Sequence, residues 1–318
     1  MDEKYCELFS SRHGRGADAP WNLLNRLMIK EIRAKVLLAH VKQPDSWFGL
    51  KYNMNLYRGC CHRCVYCDSR SECYQTENFD RDVLVKVNAI ELLRKELASK
   101  RVKGPIGLGS MNDPFMPLPP GVSLTGQALA VIAECGFPVH IITKSALVLQ
   151  ELETLQRISQ VYASISFTIT TADDALAAKI EPGSSRPSAR FAAMKTLAAH
   201  GIQTGVTMMP ILPFIEDNEE NITAIVEQAA ANGASYIIPW MGMTLRDRQR
   251  AYYYRQLDAL FPGVREKYEH TYGDRYSCDV PNASRLYRRF NALCETRRMA
   301  TSLPLYQSSA VRQLDLWG

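Results

Sequence analysis

Between Tyr52 and Ile238 the sequence alternates regularly between short apolar runs and longer runs with a helical period. Most of the short runs contain β-branched residues, and most have glycine or proline at a boundary, which is typical of buried strands. We predict strands at residues 52–56, 105–110, 138–143, 161–169, 202–209 and 236–238, and helices at residues 83–99, 125–135, 147–159, 188–200 and 218–232. This alternation predicts parallel strands that are joined by right-handed crossovers through helices.

The number of strand–helix units narrows the choice among α/β folds. Six predicted strands are fewer than the eight that close a full barrel, so we predict a partial (β/α)6 TIM-like barrel. A doubly wound sheet is the competing topology, and in both the functional residues gather at the carboxyl ends of the strands. We assign residues 46–240 to this core, residues 1–45 to a helical N-terminal segment with helix over 21–40, residues 241–306 to a basic helical C-terminal region and residues 307–318 to a tail.

Composition excludes several other classes of protein. Hydrophobic residues make up 46% of the chain and charged residues 22%, which is an ordinary globular balance and not that of a disordered or low-complexity protein. No apolar run approaches the roughly 18–20 residues that a membrane helix needs. The first twenty residues mix acidic, basic and polar side chains, unlike a signal peptide. We therefore expect a cytoplasmic protein with no membrane association.

The positive charge is concentrated near the C-terminus. Between Thr244 and Arg298 there are 12 Lys and Arg against 7 Asp and Glu, which equals the net charge of +5 for the whole chain. The same segment holds 7 of the 15 tyrosines, including Tyr252, Tyr253 and Tyr254. Basic residues interleaved with flat aromatic rings suit a nucleic acid, whose bases stack on such rings. The alternative interpretation is a solvated helical surface with some tyrosines in the core.

The 9 cysteines are unevenly placed, and 5 of them fall within 14 residues. They are Cys60, Cys61, Cys64, Cys67 and Cys73. A secreted disulfide scaffold would be short and would spread its cysteines along the chain. A tight cluster in a long chain without a signal peptide indicates a metal site or catalysis instead. The predicted position of the cluster, just after the first strand of the core, puts it at the functional rim.

The spacing within the cluster allows two registers. Cys60, Cys64 and Cys67 are separated by three and then two residues, whereas Cys61, Cys64 and Cys67 are separated by two and two. Three thiolates are one ligand short of saturating a tetrahedral zinc or a cubane iron–sulfur cluster. His62 or Cys73 could supply the fourth ligand of a structural zinc. A catalytic cluster would instead leave its fourth position open for a substrate or cofactor.

The first register, with Tyr66 directly before the last cysteine, resembles the signature of the radical S-adenosylmethionine superfamily. The resemblance implies that Cys60, Cys64 and Cys67 bind three irons of a [4Fe–4S] cluster, and we favour Cys60 over Cys61. It also implies that S-adenosylmethionine chelates the fourth iron and is cleaved reductively to a radical that abstracts hydrogen. The cofactors would supply this chemistry, and the protein would position them and exclude water. An electron donor such as flavodoxin or ferredoxin would then be a partner.

Further motifs resemble proteins related to spore photoproduct lyase. The residues before the first ligand, Asn55-Leu56-Tyr57-Arg58-Gly59-Cys60, are similar to the family's Asn-Pro-Tyr-Arg-Gly-Cys, with leucine in place of proline. Four other stretches match in order: Gly109 to Pro114, Thr143 to Ser145 and Thr168 to Thr171, each at a predicted strand end, and then Glu181 to Ser185 with Arg190 after it. The resemblance spans roughly residues 50–240. It implies that the cofactor is contacted by Tyr66, Ser110, Asn112, Asp113, Lys144, Thr168 and Thr170.

Several of these stretches also have purely structural interpretations. Residues 110–114 could form a plain turn, because Asn-Asp-Pro favours one. Lys144 could be a solvated residue at a helix start, and Thr168 and Thr170 could reflect strand propensity alone. For Glu181 we favour a role as a brace of its loop over contact with the cofactor.

One position departs from the lyase pattern. Spore photoproduct lyase has a cysteine at the end of the second strand that returns a hydrogen atom to the product radical, and Ser110 stands there in this chain. A serine O–H bond is too strong for that role, so Cys73, Cys278 or a tyrosine of the C-terminal region would have to replace it. We therefore expect radical chemistry on damaged or modified nucleic acid, related to spore photoproduct repair. The alternatives are the same chemistry on a protein or small molecule, and a zinc-stapled nucleic-acid binding module.

The last residues of the chain suggest a second partner. Gln313, Leu314, Asp315, Leu316, Trp317 and Gly318 resemble the Gln-Leu-x-Leu-Phe peptide with which bacterial repair proteins dock on the sliding clamp. Such a peptide places its apolar anchors in a hydrophobic groove of the partner. The alternative is that the tail packs on its own domain, which would also hide its apolar residues.

Overall fold

The fold is taken from a computed structural model, which describes residues 27–43, 46–76, 78–79 and 81–307. The strands within these residues are β1 (Met28–Ile32), β2 (Leu38–His40), β3 (Tyr52–Met54), β4 (Tyr57–Arg58), β5 (Asp82–Lys86), β6 (Ile106–Leu108), β7 (Val139–Thr143), β8 (Ala163–Thr168), β9 (Gln203–Met208), β10 (Tyr236–Pro239), β11 (Gly242–Thr244) and β12 (Ser277–Asp279). The α-helices are α1 (Ala89–Ala98), α2 (Thr125–Cys135), α3 (Leu152–Ser159), α4 (Asp174–Ile180), α5 (Pro187–Ala199), α6 (Glu219–Ala231), α7 (Asp247–Leu260), α8 (Val264–Tyr272) and α9 (Ala283–Arg297).

The main sheet has seven strands in the order β10-β9-β8-β7-β6-β3-β2. The six strands from β3 to β10 in this sheet are parallel, and β2 joins the edge antiparallel to β3. Each strand of the parallel set lies next to the one before it in the chain, so the order never reverses as it does in a doubly wound sheet. The prediction of a partial (β/α)6 barrel is confirmed, and among the described pairings none joins β2 to β10 to close it.

Both faces of the central strand β8 are buried, as is usual for parallel strands covered by helices. Ala163, Ile165 and Phe167 belong to the main hydrophobic core. The alternate residues Ser164 and Ser166 form a polar cluster on the other face, where both hydroxyls lie within 2.9 Å of the Tyr236 hydroxyl. Each buried hydroxyl of this strand therefore has a partner on a neighbouring element, as burial requires.

The predicted helix over residues 21–40 is wrong where the structure describes it. Met28–Ile32 forms β1, which pairs in parallel with β5, and Leu38–His40 forms β2 on the edge of the main sheet. The five-residue ladder with β5 joins segments about fifty residues apart, and such tertiary pairing overrides the local helical pattern. The segment at residues 83–99 was likewise predicted as one helix, but it divides into β5 and α1.

The exposure of Val87 explains why the helix predicted over residues 83–99 is wrong in its first part. Val83 and Val85 are buried at strand spacing, whereas Val87 is 40% exposed and does not belong to a continuous helical face. The short helix α4 was not predicted at all. It begins after Asp173, whose side chain accepts hydrogen bonds from the backbone N–H groups of Ala175 and Leu176, so the missed signal was an acidic N-cap.

The C-terminal region contains the helices α7, α8 and α9, together with an antiparallel pair of short strands, β11 and β12, that enclose α7 and α8 in the chain. Tyr253, Tyr254, Tyr268 and Tyr272 are buried in its own small core. Several arginines of this region pair with carboxylates, among them Arg285 with Glu219 and Arg297 with Glu227. Four of the seven tyrosines are therefore unavailable for stacking on bases. For these four, the alternative interpretation as core residues is confirmed.

Two expectations concern the ends and the surface of the chain. The clamp-like peptide at residues 313–317 lies outside the residues that the structure describes, so it stays a prediction. No helix of the described part is both long and apolar enough to cross a lipid bilayer.

Candidate active site at the cysteine loop

The cysteine loop follows β4 directly, and a glycine permits its start. Gly59 has a φ of 82°, and a Cβ at this position would overlap the backbone oxygen of Asp82. Only glycine adopts this conformation without strain and lets the two backbones approach so closely. Cys60 and Cys64 are buried, and Cys67 is half-buried.

A second loop, residues 180–185, supports the cysteine loop from the other side. The N–H of Val65 donates to the carbonyl of Ile180 and the N–H of Gly183 donates to the carbonyl of His62, both at 2.9 Å. A Cβ on Gly183 would overlap the carbonyl oxygen of Cys61. The Glu-Pro-Gly stretch therefore holds the cysteine loop through its backbone, with glycine at the point of closest approach.

A fully buried ion pair lies behind this contact. The Arg190 guanidinium pairs with the Glu181 carboxylate, and the other oxygen of Glu181 accepts a hydrogen bond from the Tyr66 hydroxyl. Arg190 also donates to the carbonyl of Thr168 at 2.6 Å and to that of Ser185 at 2.8 Å. Burial raises the pKa of Glu181, but the charges of Arg190 and Lys144 and the hydrogen bonds from Tyr66 and Arg190 together outweigh burial and leave that pKa below its usual value. Glu181 thus makes the contacts of a brace, as expected for it.

Asp113 ties the cysteine loop to the ends of β6 and β7. Its carboxylate accepts hydrogen bonds from the Thr143 hydroxyl at 2.8 Å and from the Lys144 N–H at 2.6 Å. It also accepts the N–H of Phe115 at 2.8 Å and lies 3.4 Å from Nδ1 of His62. A carboxylate with this many donors is held in one orientation, which fixes the rim on which the cysteine loop sits.

Lys144 completes the group of charges at this rim. Its ammonium nitrogen lies 5.6 Å from the centre of the Tyr66 ring. Burial lowers the pKa of Lys144, but the nearby Cys64 and Glu181 outweigh burial and leave it above its usual value. The cation therefore stands beside the cysteine loop, where it can stabilise negative charge on thiolates or on a bound ligand.

The residues of this loop fit an iron–sulfur cluster. Burial raises the pKa of Cys60 well above its usual value and that of Cys64 to about 12, and the positive charge of bound iron would favour their thiolate forms. Nε2 of His62, between the cysteines, is buried and has no hydrogen-bond partner. Among the described residues no three Cys, His, Asp or Glu side chains converge on a point that could hold a single metal ion. Thiolates that bind different irons of a cubane do not have to converge in this way.

The predicted cofactor residues divide into two groups. Tyr66, Asp113 and Lys144 belong to the network around the cysteine loop, as described above. Asn112 is buried and donates to the carbonyl of Tyr57 at 2.8 Å. The other predicted residues contact partners on neighbouring strands and loops: Ser110 lies 3.1 Å from the Asn53 amide nitrogen, Thr168 lies 2.9 Å from the Thr207 hydroxyl, and Thr170 donates to Glu216 at 2.7 Å. Their contact with a cofactor stays a prediction.

Glu216 was not among the predicted site residues, and it is completely buried near the carboxyl end of the sheet. Its carboxylate accepts the Thr170 hydroxyl and, at 2.9 Å, the N–H of Leu212. Burial raises the pKa of Glu216 to about 8. A perturbed carboxyl near a cleft is a functional candidate, but no sequence pattern links it to Thr170, which lies 46 positions earlier.

The start of α7, also missed, fastens the segment that follows the third cysteine. Gln249 is fully buried and donates to the carbonyl of Tyr66 at 3.2 Å. Arg246 pairs with Asp68 at 2.6 Å, and Asp247 accepts the Ser71 hydroxyl at 2.6 Å. The C-terminal region therefore braces the cysteine loop as well as adding surface. Polar residues at a helix start are common, so sequence alone could not single these out.

Comparison with known proteins agrees with this geometry. The family model of the radical SAM superfamily matches residues 54–228. An uncharacterized protein of Methanocaldococcus jannaschii is 32% identical over 197 residues, which cover 61% of this chain and 72% of that protein. An uncharacterized protein of Mycobacterium tuberculosis is 29% identical over 229 residues, which cover 70% of this chain and 67% of that protein.

Among solved structures, spore photoproduct lyase complexed with dinucleoside spore photoproduct superposes with a TM-score of 0.63. The match covers 90% of this chain and 84% of the lyase, at 17% sequence identity. At this identity the likeness concerns the fold. The matched residues include the whole cysteine loop and the strands that carry its supports, and the chain belongs to the radical SAM superfamily.

Proposed function

We propose that this protein is an enzyme that uses a [4Fe–4S] cluster and S-adenosylmethionine to start radical chemistry on damaged or modified nucleic acid. The observation that carries the proposal is the cysteine loop. Cys60, Cys64 and Cys67 lie on one loop at the rim of a parallel barrel, held by contacts from both sides. The set has one ligand fewer than a closed cluster site needs.

The residues of the chain have distinct tasks in this proposal. Cys60, Cys64 and Cys67 would each hold one iron, and the fourth iron would stay open to S-adenosylmethionine. The bound cluster would supply the electron for reductive cleavage of S-adenosylmethionine. Lys144 would balance negative charge beside the loop, and the buried pair of Glu181 with Arg190 would keep the loop in place.

The substrate class rests on the fold and on the charge of the C-terminal region. The fold resembles that of spore photoproduct lyase, one of whose structures contains a dinucleoside spore photoproduct. The C-terminal region adds a surplus of positive charge, which favours a polyanion. Ser110 stands where the lyase pattern has its cysteine, so the hydrogen would return to the product from another group. A related but different reaction on nucleic acid is therefore the best supported function.

The test measures 5′-deoxyadenosine under anaerobic, reducing conditions with reconstituted protein. We expect product from the wild type, none from Cys64→Ala, and unchanged product from Cys135→Ala, whose cysteine ends α2. We also expect ultraviolet-irradiated DNA to increase product relative to undamaged DNA. Product from Cys64→Ala would contradict the cluster assignment. Product that no DNA or RNA affects would contradict the proposed substrate class and leave the radical chemistry standing.

A further inference from the structure

A cavity of about 310 Å³ lies between the β4–β5 ladder and the segment that follows the cysteine loop. Arg58 and Lys86 line it from the ladder and Asn55 from the turn before β4, and Tyr74 and Phe79 line it from the segment between the cysteine loop and β5. The three predicted iron ligands are not among the described residues that line it, although the neighbouring Gly59 and Asn112 are. The cavity is thus beside the cysteine loop but separate from the cluster ligands, and its size is in the range of small-molecule sites.

The ladder explains why two cations meet here. Arg58 pairs with Leu84 across the antiparallel ladder, and Lys86 is two residues beyond Leu84 in β5. Because side chains alternate along a strand, Arg58 and Lys86 lie on the same face as diagonal neighbours. Among the described residues neither side chain forms an ion pair, and the two positive charges are adjacent. Burial, and then the charge of Arg58, lower the pKa of Lys86.

Asn55 adds a second and independent sign of a ligand. Its side-chain oxygen Oδ1 is buried and has no hydrogen-bond partner. Its carbonyl oxygen accepts the Lys86 ammonium at 2.5 Å, so the lysine is held at the same side of the cavity. A buried acceptor without a partner is unfavourable, because it has lost its hydrogen bonds to water. A ligand that donates an N–H or O–H to Oδ1 would remove that penalty.

The chemistry of the ligand follows from these groups together. Two cations at one side call for an anionic group, and a phosphate offers several oxygens to both of them. The orphaned acceptor calls for a donor on the same molecule. Tyr74 and Phe79 add aromatic rings to the lining. Phosphate, hydrogen-bond donor and flat apolar body occur together in a nucleotide.

We propose that this cavity binds a nucleoside phosphate, with its phosphate against Arg58 and Lys86 and a donor of the base or sugar at Oδ1 of Asn55. This proposal rests on the proposed function and extends it. One nucleotide of a nucleic-acid substrate, when bound in this cavity, lies next to the cysteine loop. The phosphate comes either from a free nucleotide or from the backbone of a strand. Both sources present the same group to the two cations.

The test is isothermal titration calorimetry, which measures the dissociation constant of each ligand for the anaerobically reconstituted full chain. The ligands are thymidine 5′-monophosphate, thymidine, inorganic phosphate and a thymidine tetranucleotide. We expect the monophosphate to bind at least tenfold more tightly than thymidine or inorganic phosphate. Arg58→Gln and Lys86→Gln should each weaken its binding about tenfold or more, since each removes a charge-assisted hydrogen bond. Tighter binding of the tetranucleotide than of the monophosphate would support the strand backbone as the source, and the reverse would support a free nucleotide.

Arg101→Gln is the matched control, because Arg101 is exposed and does not line the cavity. Arg58→Lys should recover part of the binding, and S-adenosylmethionine should bind all variants as it binds the wild type. Unchanged nucleotide binding in Arg58→Gln and Lys86→Gln would overturn the proposal, and so would inorganic phosphate that binds as tightly as the monophosphate. These outcomes are distinct from a failure of the proposed function, in which DNA and RNA leave 5′-deoxyadenosine formation unchanged while the nucleotide still binds.

Discussion

The buried pair of Arg190 with Glu181 offers a sharp test of how the cysteine loop is held. Replacing arginine by methionine keeps most of the volume and removes the charge. The Glu181 carboxylate would keep only the Tyr66 hydroxyl and the longer contact from Ser184 at 3.4 Å. Its ionised form would then be buried without a paired cation, because both side chains are almost completely inaccessible in the wild type.

The expected magnitude follows from the cost of a broken buried pair. Removing one partner of such a pair destabilises a protein by about 3–5 kcal/mol, mostly because the remaining charge stays buried. We therefore expect Arg190→Met to lower the free energy of unfolding by about that amount. Arg190→Met combined with Glu181→Gln should lose clearly less than Arg190→Met alone, because no buried charge remains.

The pH dependence gives a second readout with a defined sign. In the wild type the pKa of Glu181 is lowered from 4.5, so its contribution to stability is present above pH 4.5 and lost as pH falls through the lowered pKa. Without Arg190 we expect the pKa of Glu181 to rise. The deficit of Arg190→Met relative to wild type should then be largest near neutral pH and shrink as acid protonates the carboxyl. Glu181→Gln should abolish this dependence.

These differences are measured by urea unfolding, followed by circular dichroism at several pH values. The four proteins to compare are the wild type, Arg190→Met, Glu181→Gln and the double variant. Arg157→Met is a suitable surface control, because Arg157 is an exposed arginine on α3. A loss below about 1 kcal/mol for Arg190→Met, in the range of exposed ion pairs, would refute the reasoning. A double variant no more stable than Arg190→Met would show that the arginine acts through packing and its backbone contacts and not through Glu181.

Three further predictions concern the cysteine loop and its surroundings. Cys60→Ala should lose the reconstituted iron and its visible absorption, whereas Cys61→Ala should keep both; the reverse result would select the other register. Glu216→Gln should flatten the pH dependence of stability measured by thermal unfolding, since the pKa raised to about 8 makes the wild type lose stability between pH 4.5 and 8 by up to about 1.4 kcal/mol per pH unit. An equal slope in the variant would contradict a buried, protonated Glu216. Gln249→Leu should cost about 1–3 kcal/mol by leaving the Tyr66 carbonyl unpaired and should change the electron paramagnetic resonance spectrum of the cluster; loss of stability with an unaltered spectrum would limit Gln249 to a structural role.

Local patterns along the sequence determined much of the fold. The strands from β6 to β10 and the helix α2 lie within two residues of their predicted bounds, because each has its own local pattern of apolar residues. The spacing of Cys60, Cys64 and Cys67 identified the superfamily, since three ligands on one short loop require no knowledge of the rest of the chain. Each of these patterns lies within about fifteen consecutive residues, so it can be recognised without knowing the rest of the fold.

Contacts between distant segments were decided only by the tertiary structure. β1 is a strand because β5 pairs with it, although its own sequence suggested a helix. The tyrosines of the C-terminal region suggested a surface for bases, but their packing against one another buried four of them. In both cases the deciding free energy comes from a partner far away in the chain, which local periodicity cannot register.

The electrostatic character of the site depends on the tertiary structure for the same reason. Arg58 and Lys86 share a face only through the register of the β4–β5 ladder, and Glu216 has a raised pKa only because several elements bury it. A residue's type is written in the sequence, whereas its solvation and the charges around it are set by what folds over it. The sequence alone therefore determined the superfamily of the chain. The tertiary structure decided which side chains surround the cysteine loop and which residues line the cavity that we propose as a second ligand site.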